Sequence, residues 1–291
     1  MGMHRCSVHQ RRGAPWMGEF HISNKTMPLE CFDACRNSRT GPVFIVASGP
    51  STKNFPLEQY GQYPMMALNG SICRFTSLGM VPEYYLCDDS GFVRSRLPLM
   101  LQAVEHARHL VLSPRVIDTL LEAVPDALKG RSVFCFERAG RSDEAHRRLS
   151  PRQFSRAVRD DSDFECNYSW LRQKPNRIGF SRNLKKGYFN GRTIPYAAIQ
   201  LACHLGFNQV FLVGLDLRSG VGRFYEDGAA AVSSRLDCDF KDYILPSFQL
   251  LAERVIKPEF QVYNLSADSR LPDRLVPKLE LGQLDALLAR A

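Results

Sequence analysis

Four polar clusters stand directly after short apolar runs, and their residue types are those that bind or transform ligands. Ser48-Gly49-Pro50-Ser51-Thr52 follows VFIVA, Asn69-Gly70-Ser71 follows MMAL, Asp88-Asp89-Ser90 follows YYLC, and Gly214-Leu215-Asp216 follows VFLV. In the first cluster Gly49 lets the backbone come close to a ligand while Ser48 and Ser51 offer hydroxyl donors, which suits a phosphate. The chain holds neither a G-x4-G-K-[ST] loop nor a G-x-G-x-x-G fingerprint, so a Walker nucleotide site and a dinucleotide fold are both excluded. Each cluster taken singly reads equally well as a turn or a helix cap.

Other candidates are weaker. Cys31 and Cys35 form one C-x3-C with no second pair, too little for a structural zinc site. His204 lies on a helix among apolar neighbours and reads as a packed or surface residue and not a functional one. Tyr168 and Trp170 could stack on a sugar, although aromatics at such places more often cover a core. From Trp170 to Arg192 the chain carries Arg172, Lys174, Arg177, Arg182, Lys185, Lys186 and Arg192 with no acidic residue. Such a run is either a solvated loop or a surface for an anionic partner.

The elements that must position these residues follow from the periodicity. VFIVAS, MMALNG, EYYLCD, HLVLS, SVFCFE, QVFLVG and FQVYNL are short apolar runs bounded by turn residues, which predicts buried parallel strands. Helical patterns between them, at about 91–106, 114–128, 193–205 and 240–256, give strand–helix alternation. That predicts an α/β fold with a doubly wound, mostly parallel sheet, whose ligands bind beyond the carboxyl ends of the strands. All four polar clusters fall on that edge, and this joint placement favours a binding site over four unrelated turns. Residues 1 to about 40 show no sustained period and read as an irregular extension. A single domain is expected over about 41–291, interrupted at about 139–190 by a charged insertion that reads as a lid or acceptor-binding element.

Composition sets the outer limits. The 291 residues are 44% hydrophobic and 23% charged, enough for a full-sized core. The nine cysteines sit mostly inside apolar runs and read as reduced core residues. Neither a run of about 20 apolar residues nor the apolar stretch of a secretion signal is present, so a cytoplasmic protein is expected. A formal charge of +8 points to an anionic partner: nucleic acid, a membrane surface or a phosphorylated substrate. No helix-turn-helix, zinc or aromatic RNP pattern supports the first of these.

The stretch GFSRNLKKGYFNGRTIPYAAIQLACHLGFNQVFLVGLDLRSGVGRFYEDG, with VFIVASGPSTKNFPL and MMALNGSI, resembles the lipopolysaccharide core transferases that add a third Kdo sugar, the WaaZ type, over about Pro42 to Leu281. More distantly, SGPS, Asn69, RTIPYAA and GLDL resemble bacterial CMP-sialic acid transferases with a GT-A-like, Rossmann-like nucleotide fold. The resemblance implies a glycosyltransferase with CMP-Kdo as donor substrate and no cofactor. It places Ser48, Gly49, Ser51, Asn69, Thr193 and Asp216 at the nucleotide, with Ile194 and Pro195 standing where the sialyltransferases have Ser-Gly. Tyr225 corresponds to a tyrosine that steadies the leaving phosphate, and Arg223 could add charge there.

Those enzymes use a histidine base before their last long helix, whereas this chain has no histidine after His204. Asp237, Asp239 and Asp242 stand nearest, and Asp239 is the base the resemblance leaves. Asp237-Cys238-Asp239 also has the D-x-D form of metal-dependent transferases. A CMP leaving group is a monophosphate that hydroxyls, an arginine and a helix N-terminus can stabilise, so no metal is expected. The expected acceptor is a phosphorylated Kdo-lipid A at the inner leaflet of the cytoplasmic membrane, met by Arg182, Lys185, Lys186 and Arg192, with the protein peripheral to that membrane. The alternatives are a non-catalytic nucleotide- or membrane-binding module that keeps the fold but has lost the base, or another α/β enzyme such as a pterin diphosphokinase relative.

Overall fold

The computed structural model describes residues 6–8, 17–22, 25–140, 146, 149–218, 222–225 and 236–290. All seven apolar runs form strands: β4 (Pro42–Val46), β5 (Met65–Leu68), β6 (Tyr84–Cys87), β7 (His109–Leu112), β8 (Ser132–Cys135), β11 (Gln209–Val213) and β12 (Gln261–Asn264). Most of their residues are buried, which is why they read as continuous apolar runs and not as alternating ones. The sheet order is β1-β2-β3-β8-β7-β6-β5-β4-β11-β12, where β1 is Cys6–Val8, β2 Met17–Ile22 and β3 Lys25–Glu30. From β3 to β12 every neighbouring pair is parallel.

The start of the chain differs from the irregular extension expected. β1, β2 and β3 pair antiparallel with one another, and β3 joins β8 through Glu30 and Phe134. Phe32, in the helix Phe32–Cys35, is buried against Phe134 and His204. Polar strands at the edge of a sheet lack the apolar run that marks a buried strand, so periodicity alone does not reveal them.

Alternate residues of each strand feed two cores. Val43, Ile45, Met66, Leu68, Val210 and Leu212 pack under helices Ile194–Leu205 and 236–255. Phe44, Val46, Met65, Ala67, Phe211 and Val213 pack under Ile72–Ser77, Ser90–Ser95, Leu97–His106, Pro114–Ala123 and Leu281–Leu288. Ile194–Leu205 is buried on nearly all sides, since the segment 139–190 covers its outer face. That segment contains the hairpin β9 (Phe164–Cys166) and β10 (Gly179–Ser181), and Phe154, Phe164, Phe180 and Phe189 join the same core. The expected lid is a packed part of the domain. Gln200 fixes it there: its carbonyl accepts from the Ser181 and Phe189 N–H groups at 3.0 and 2.9 Å, and its amide donates to the Phe189 and Tyr196 carbonyls.

Strands β4 to β8 advance in one direction from β4, and β11 and β12 lie on its other side. The topological switch point therefore falls between β4 and β11, whose carboxyl ends are the SGPS turn and GLDL.

Candidate active site

The two strand ends at the switch point are locked together by small residues. The carbonyl of Gly214, a residue at φ +76°, accepts from the Gly49 N–H at 3.0 Å, and a side chain on Gly214 would meet Thr52 Oγ1 at 1.9 Å. A side chain on Gly49 would meet Asp216 Oδ2 at 2.1 Å. The glycine of the SGPS turn is thus required by close packing on Asp216.

Asp216 is buried, and its Oδ2 accepts from both the backbone N–H and the hydroxyl of Ser51 at 3.0 Å. The Ser51 hydroxyl also meets Ser266 Oγ at 2.9 Å. Ser51 lines a smaller neighbouring hollow with Asn54, Phe55 and Leu279, whereas Ser48, Gly49 and Asp216 line the main cleft. Ser51, expected at the nucleotide, is instead a brace between strand ends.

The main cleft measures about 770 Å³ and runs across the ends of β4, β5, β6 and β11 to the start of helix Ile194–Leu205. Asn69 lines it from the end of β5 in a left-handed conformation, φ 47°, that asparagine tolerates. Its Oδ1 is buried and has no hydrogen-bond partner among the described residues, an acceptor open to a ligand's donor. Thr193 is the N-cap residue of Ile194–Leu205 and lines the cleft with Ile194, Pro195 and Ala197, so the positive end of that helix faces the space. Arg223 reaches the cleft. The Tyr225 ring does not line it and lies instead against Gly70, where a side chain would meet it at 2.1 Å. The Phe224 N–H donates to the Ser48 carbonyl at 3.1 Å, laying residues 222–225 over both turns.

The three candidate carboxylates point to different places. Asp239 lines the cleft immediately before the π-helical turn Phe240–Ile244, a device common in helices at functional positions. Asp237 pairs with Arg270 at 2.5 Å, and Asp242 with Lys174 at 2.6 Å. The D-x-D text therefore does not present its two carboxylates to one point.

Of the residues expected at an acceptor, Arg192 lines the cleft and lies 5.0 Å over the Tyr243 ring. Arg182 pairs with Glu165 and Lys185 with Asp33, while Lys186 reaches both Asp161 and Asp163 at 2.7 Å. Lys185, and Arg182 through the Arg254 carbonyl, tie the segment 139–190 to the rest of the domain, Lys186 braces it internally, and none of the three lines the cleft.

Asp88, marked in the sequence at its strand end, gathers two residues that were not marked, Arg138 and Asn190. Asp88 Oδ2 accepts from Asn190 Nδ2 at 2.7 Å and Arg138 at 3.1 Å, beside the buried Tyr188. Burial works against the Arg138 charge, yet the Asp88 carboxylate and Tyr188 hold its pKa above the ordinary value. Burial, then Asp88, pushes the Tyr188 hydroxyl far up, so it stays protonated. Asp88 was visible at a strand end, and the same rule applied to SVFCFE would have flagged Arg138. Asn190 carries no such local signal.

Fold and cleft together define an α/β enzyme architecture with its site at the switch point of a doubly wound sheet. The family model described as 3-deoxy-D-manno-octulosonic acid transferase WaaZ matches residues 30–282, and the chain belongs to that glycosyltransferase family. It is 26% identical over 267 residues to the probable 3-deoxy-manno-octulosonic acid transferase of Escherichia coli (strain K12), covering 86% of each chain. The Salmonella typhimurium (strain LT2) protein of the same description is also 26% identical, covering 83% of this chain and 87% of that one. Among solved structures, the MAf glycosyltransferase from Magnetospirillum magneticum AMB-1 aligns with a TM-score of 0.49 and 16% identity, over 84% of this chain and 35% of that one.

Proposed function

We propose that this enzyme transfers Kdo from CMP-Kdo to a Kdo-bearing lipid A acceptor of the lipopolysaccharide inner core, with inversion at the anomeric carbon and without a metal ion. The observation that carries the reading is the convergence of Arg192, Arg218 and Arg223 and one helix N-terminus on the cleft that holds the Asn69 oxygen, unpartnered among the described residues. A donor with a sugar carboxylate and a phosphodiester supplies the anions for those cations, and a ribose hydroxyl supplies a donor for Asn69.

In this reading the acceptor hydroxyl attacks the anomeric carbon from the face opposite CMP while Asp239 takes its proton. Negative charge grows on the departing phosphate, where Arg223 and the first turn of Ile194–Leu205 stabilise it more strongly than in the ground state. Tyr225, by its contact with Gly70, sets the turn that carries Asn69. The remaining wall, Asp88 with Arg138 and Asn190, forms a fixed polar surface for sugar hydroxyls. The acceptor is a lipid, and the protein attaches peripherally to the inner leaflet; no helix among the described residues is long and apolar enough to cross a membrane.

The test is release of free CMP from CMP-Kdo in the presence of Kdo-lipid A, with Kdo incorporation followed by mass spectrometry. Acceptor-dependent release that persists in EDTA is expected. No release, or release restored only by magnesium or manganese, overturns the donor or the metal-free reading respectively.

A further inference from the structure

The segment between β9 and β10 holds two large apolar side chains in water. Trp170 is 73% exposed and Leu171 85%, and neighbouring Tyr168 is 52% exposed. Exposed apolar surface normally folds back on the protein, because contact with water is unfavourable. Here the backbone is pinned so that it does not. Asn176, 1% exposed, accepts from the Ser169 N–H at 2.8 Å and donates to the Ser169 and Arg172 carbonyls at 2.9 and 2.8 Å. The Arg172 N–H donates to the Ser169 hydroxyl, and Ser155, on the helix Pro151–Ala157, donates to the Asn176 carbonyl. A buried amide thus builds a closed loop with Trp170 and Leu171 at its tip.

The surroundings of the tip are basic. Arg172, Lys174 and Arg177 are exposed, and the only acidic residue between Phe164 and Arg177 is Glu165, already paired with Arg182. The loop also stands beside the cleft. Lys174 meets Asp242 at 2.6 Å on the helix that carries Asp239, and Arg192 of the cleft lies over Tyr243 of the same turn.

We propose that the Tyr168–Lys174 loop is the membrane contact of this protein: Trp170 and Leu171 enter the interfacial zone of an anionic bilayer, while Arg172 and Arg177 meet its phosphodiester headgroups. An aromatic and an aliphatic side chain ringed by cations match a surface that is apolar beneath and negative on top. Two projecting side chains are too small a patch for a stable protein interface. Lys185 and Lys186, by contrast, are engaged by acidic residues of the protein itself. The proposal deepens the reading of the site as one that works on a lipid-borne acceptor, and one shallow loop gives reversible attachment near the cleft mouth.

The experiment is co-sedimentation of the full chain with phosphatidylcholine vesicles, with and without phosphatidylglycerol. The wild-type chain should bind the anionic vesicles, and Trp170→Ser with Leu171→Ser should weaken that binding about tenfold or more without lowering Tm, since neither side chain is packed. Arg172→Gln with Arg177→Gln should remove the preference for phosphatidylglycerol. In a Trp16→Phe background, acyl chains brominated near the headgroup should quench the fluorescence of Trp170. Wild-type binding by the Ser/Ser variant, absence of vesicle binding by the unaltered chain, or a loop whose substitution changes only self-association in lipid-free buffer would each overturn the proposal. CMP release with a deacylated, soluble acceptor reports separately on the reaction: it should be equal in wild type and the Ser/Ser variant, and its absence from both would sink the proposed chemistry while leaving the vesicle result intact.

Discussion

The cleft and the outer face of the segment 139–190 are built from the same residue types, arginines, lysines, aspartates and asparagines, used in opposite ways. On the outer face, Asp163 accepts from Arg36 at 2.5 Å, Lys186 at 2.7 Å and Asn183 at 3.0 Å. Cation, anion and amide close on one another, and the result is mechanical. In the cleft, the Asn69 oxygen has no partner among the described residues, although Arg138 beside it is held by Asp88. Polar groups that satisfy each other hold a fold together; polar groups left open at a strand edge wait for a ligand.

The sharpest way to break this comparison is at Asp239. Asp239→Asn should lower kcat about a hundredfold or more, the usual scale of a lost general base, with CMP affinity changed less than about twofold. Calorimetry and a CMP-release assay on one preparation decide it, and an unchanged kcat moves the base elsewhere.

Next is Asn69. Asn69→Gly keeps the left-handed backbone unstrained and removes only the side chain, so CMP should bind about tenfold more weakly with little change in Tm. Ser51→Ala should do the reverse, lowering Tm through loss of its bonds to Asp216 and Ser266 while CMP affinity stays within about twofold. If Ser51→Ala weakens CMP and leaves Tm alone, the brace described for it is wrong.

On the outer face the expected effects are on stability. Burial pushes the Asp163 carboxyl up, but hydrogen bonds from Lys186, Asn183 and Arg36 outweigh it and hold the pKa at about 2. Because the folded value lies below the unfolded one, this contribution is complete above about pH 4 and is lost as pH falls towards 2. Asp163→Asn should therefore lower the unfolding free energy by about 1.5 to 3 kcal/mol at neutral pH and flatten the acid limb of a pH–stability profile. His204 acts in the same direction at higher pH. Burial lowers its pKa; one ring nitrogen lies 2.8 Å from the Phe32 carbonyl and the other accepts from the Leu184 N–H, so the neutral ring is the one that fits. Its contribution is present above about pH 6.5 and declines below it.

The smallest effect is expected at Lys185. It is substantially exposed and holds one ion pair, so Lys185→Glu should cost about 1 kcal/mol or less, and CMP affinity should not move. A collapse of CMP binding in that variant would place the run at the cleft after all.

The sequence by itself determined the seven buried strands of the sheet, though not the three at its edge. Buried parallel strands need apolar residues on both faces, so VFIVA, MMAL, YYLC and VFLV declare themselves without help from the rest of the chain, and the polar residues after them mark the ligand edge. The Kdo transferase family was likewise legible, as a resemblance, in the stretch from Gly179 to Gly228 together with VFIVASGPSTKNFPL and MMALNGSI. What only the tertiary structure decided is which polar residues are already taken. Ser51 and Asn69 look alike as strand-end hydrogen bonders, yet Asp216, far along the chain, occupies one and no described residue occupies the other's oxygen. Lys186 and Arg192 belong to one basic run, but Asp161 and Asp163 hold the first while the second opens on the cleft. Trp170 reads as a core aromatic until Asn176 is seen closing the loop that turns it outward. A charge or a hydrogen-bonding group has no fixed role in sequence, because its energy depends on the partner brought to it by folding and on the water removed from between them.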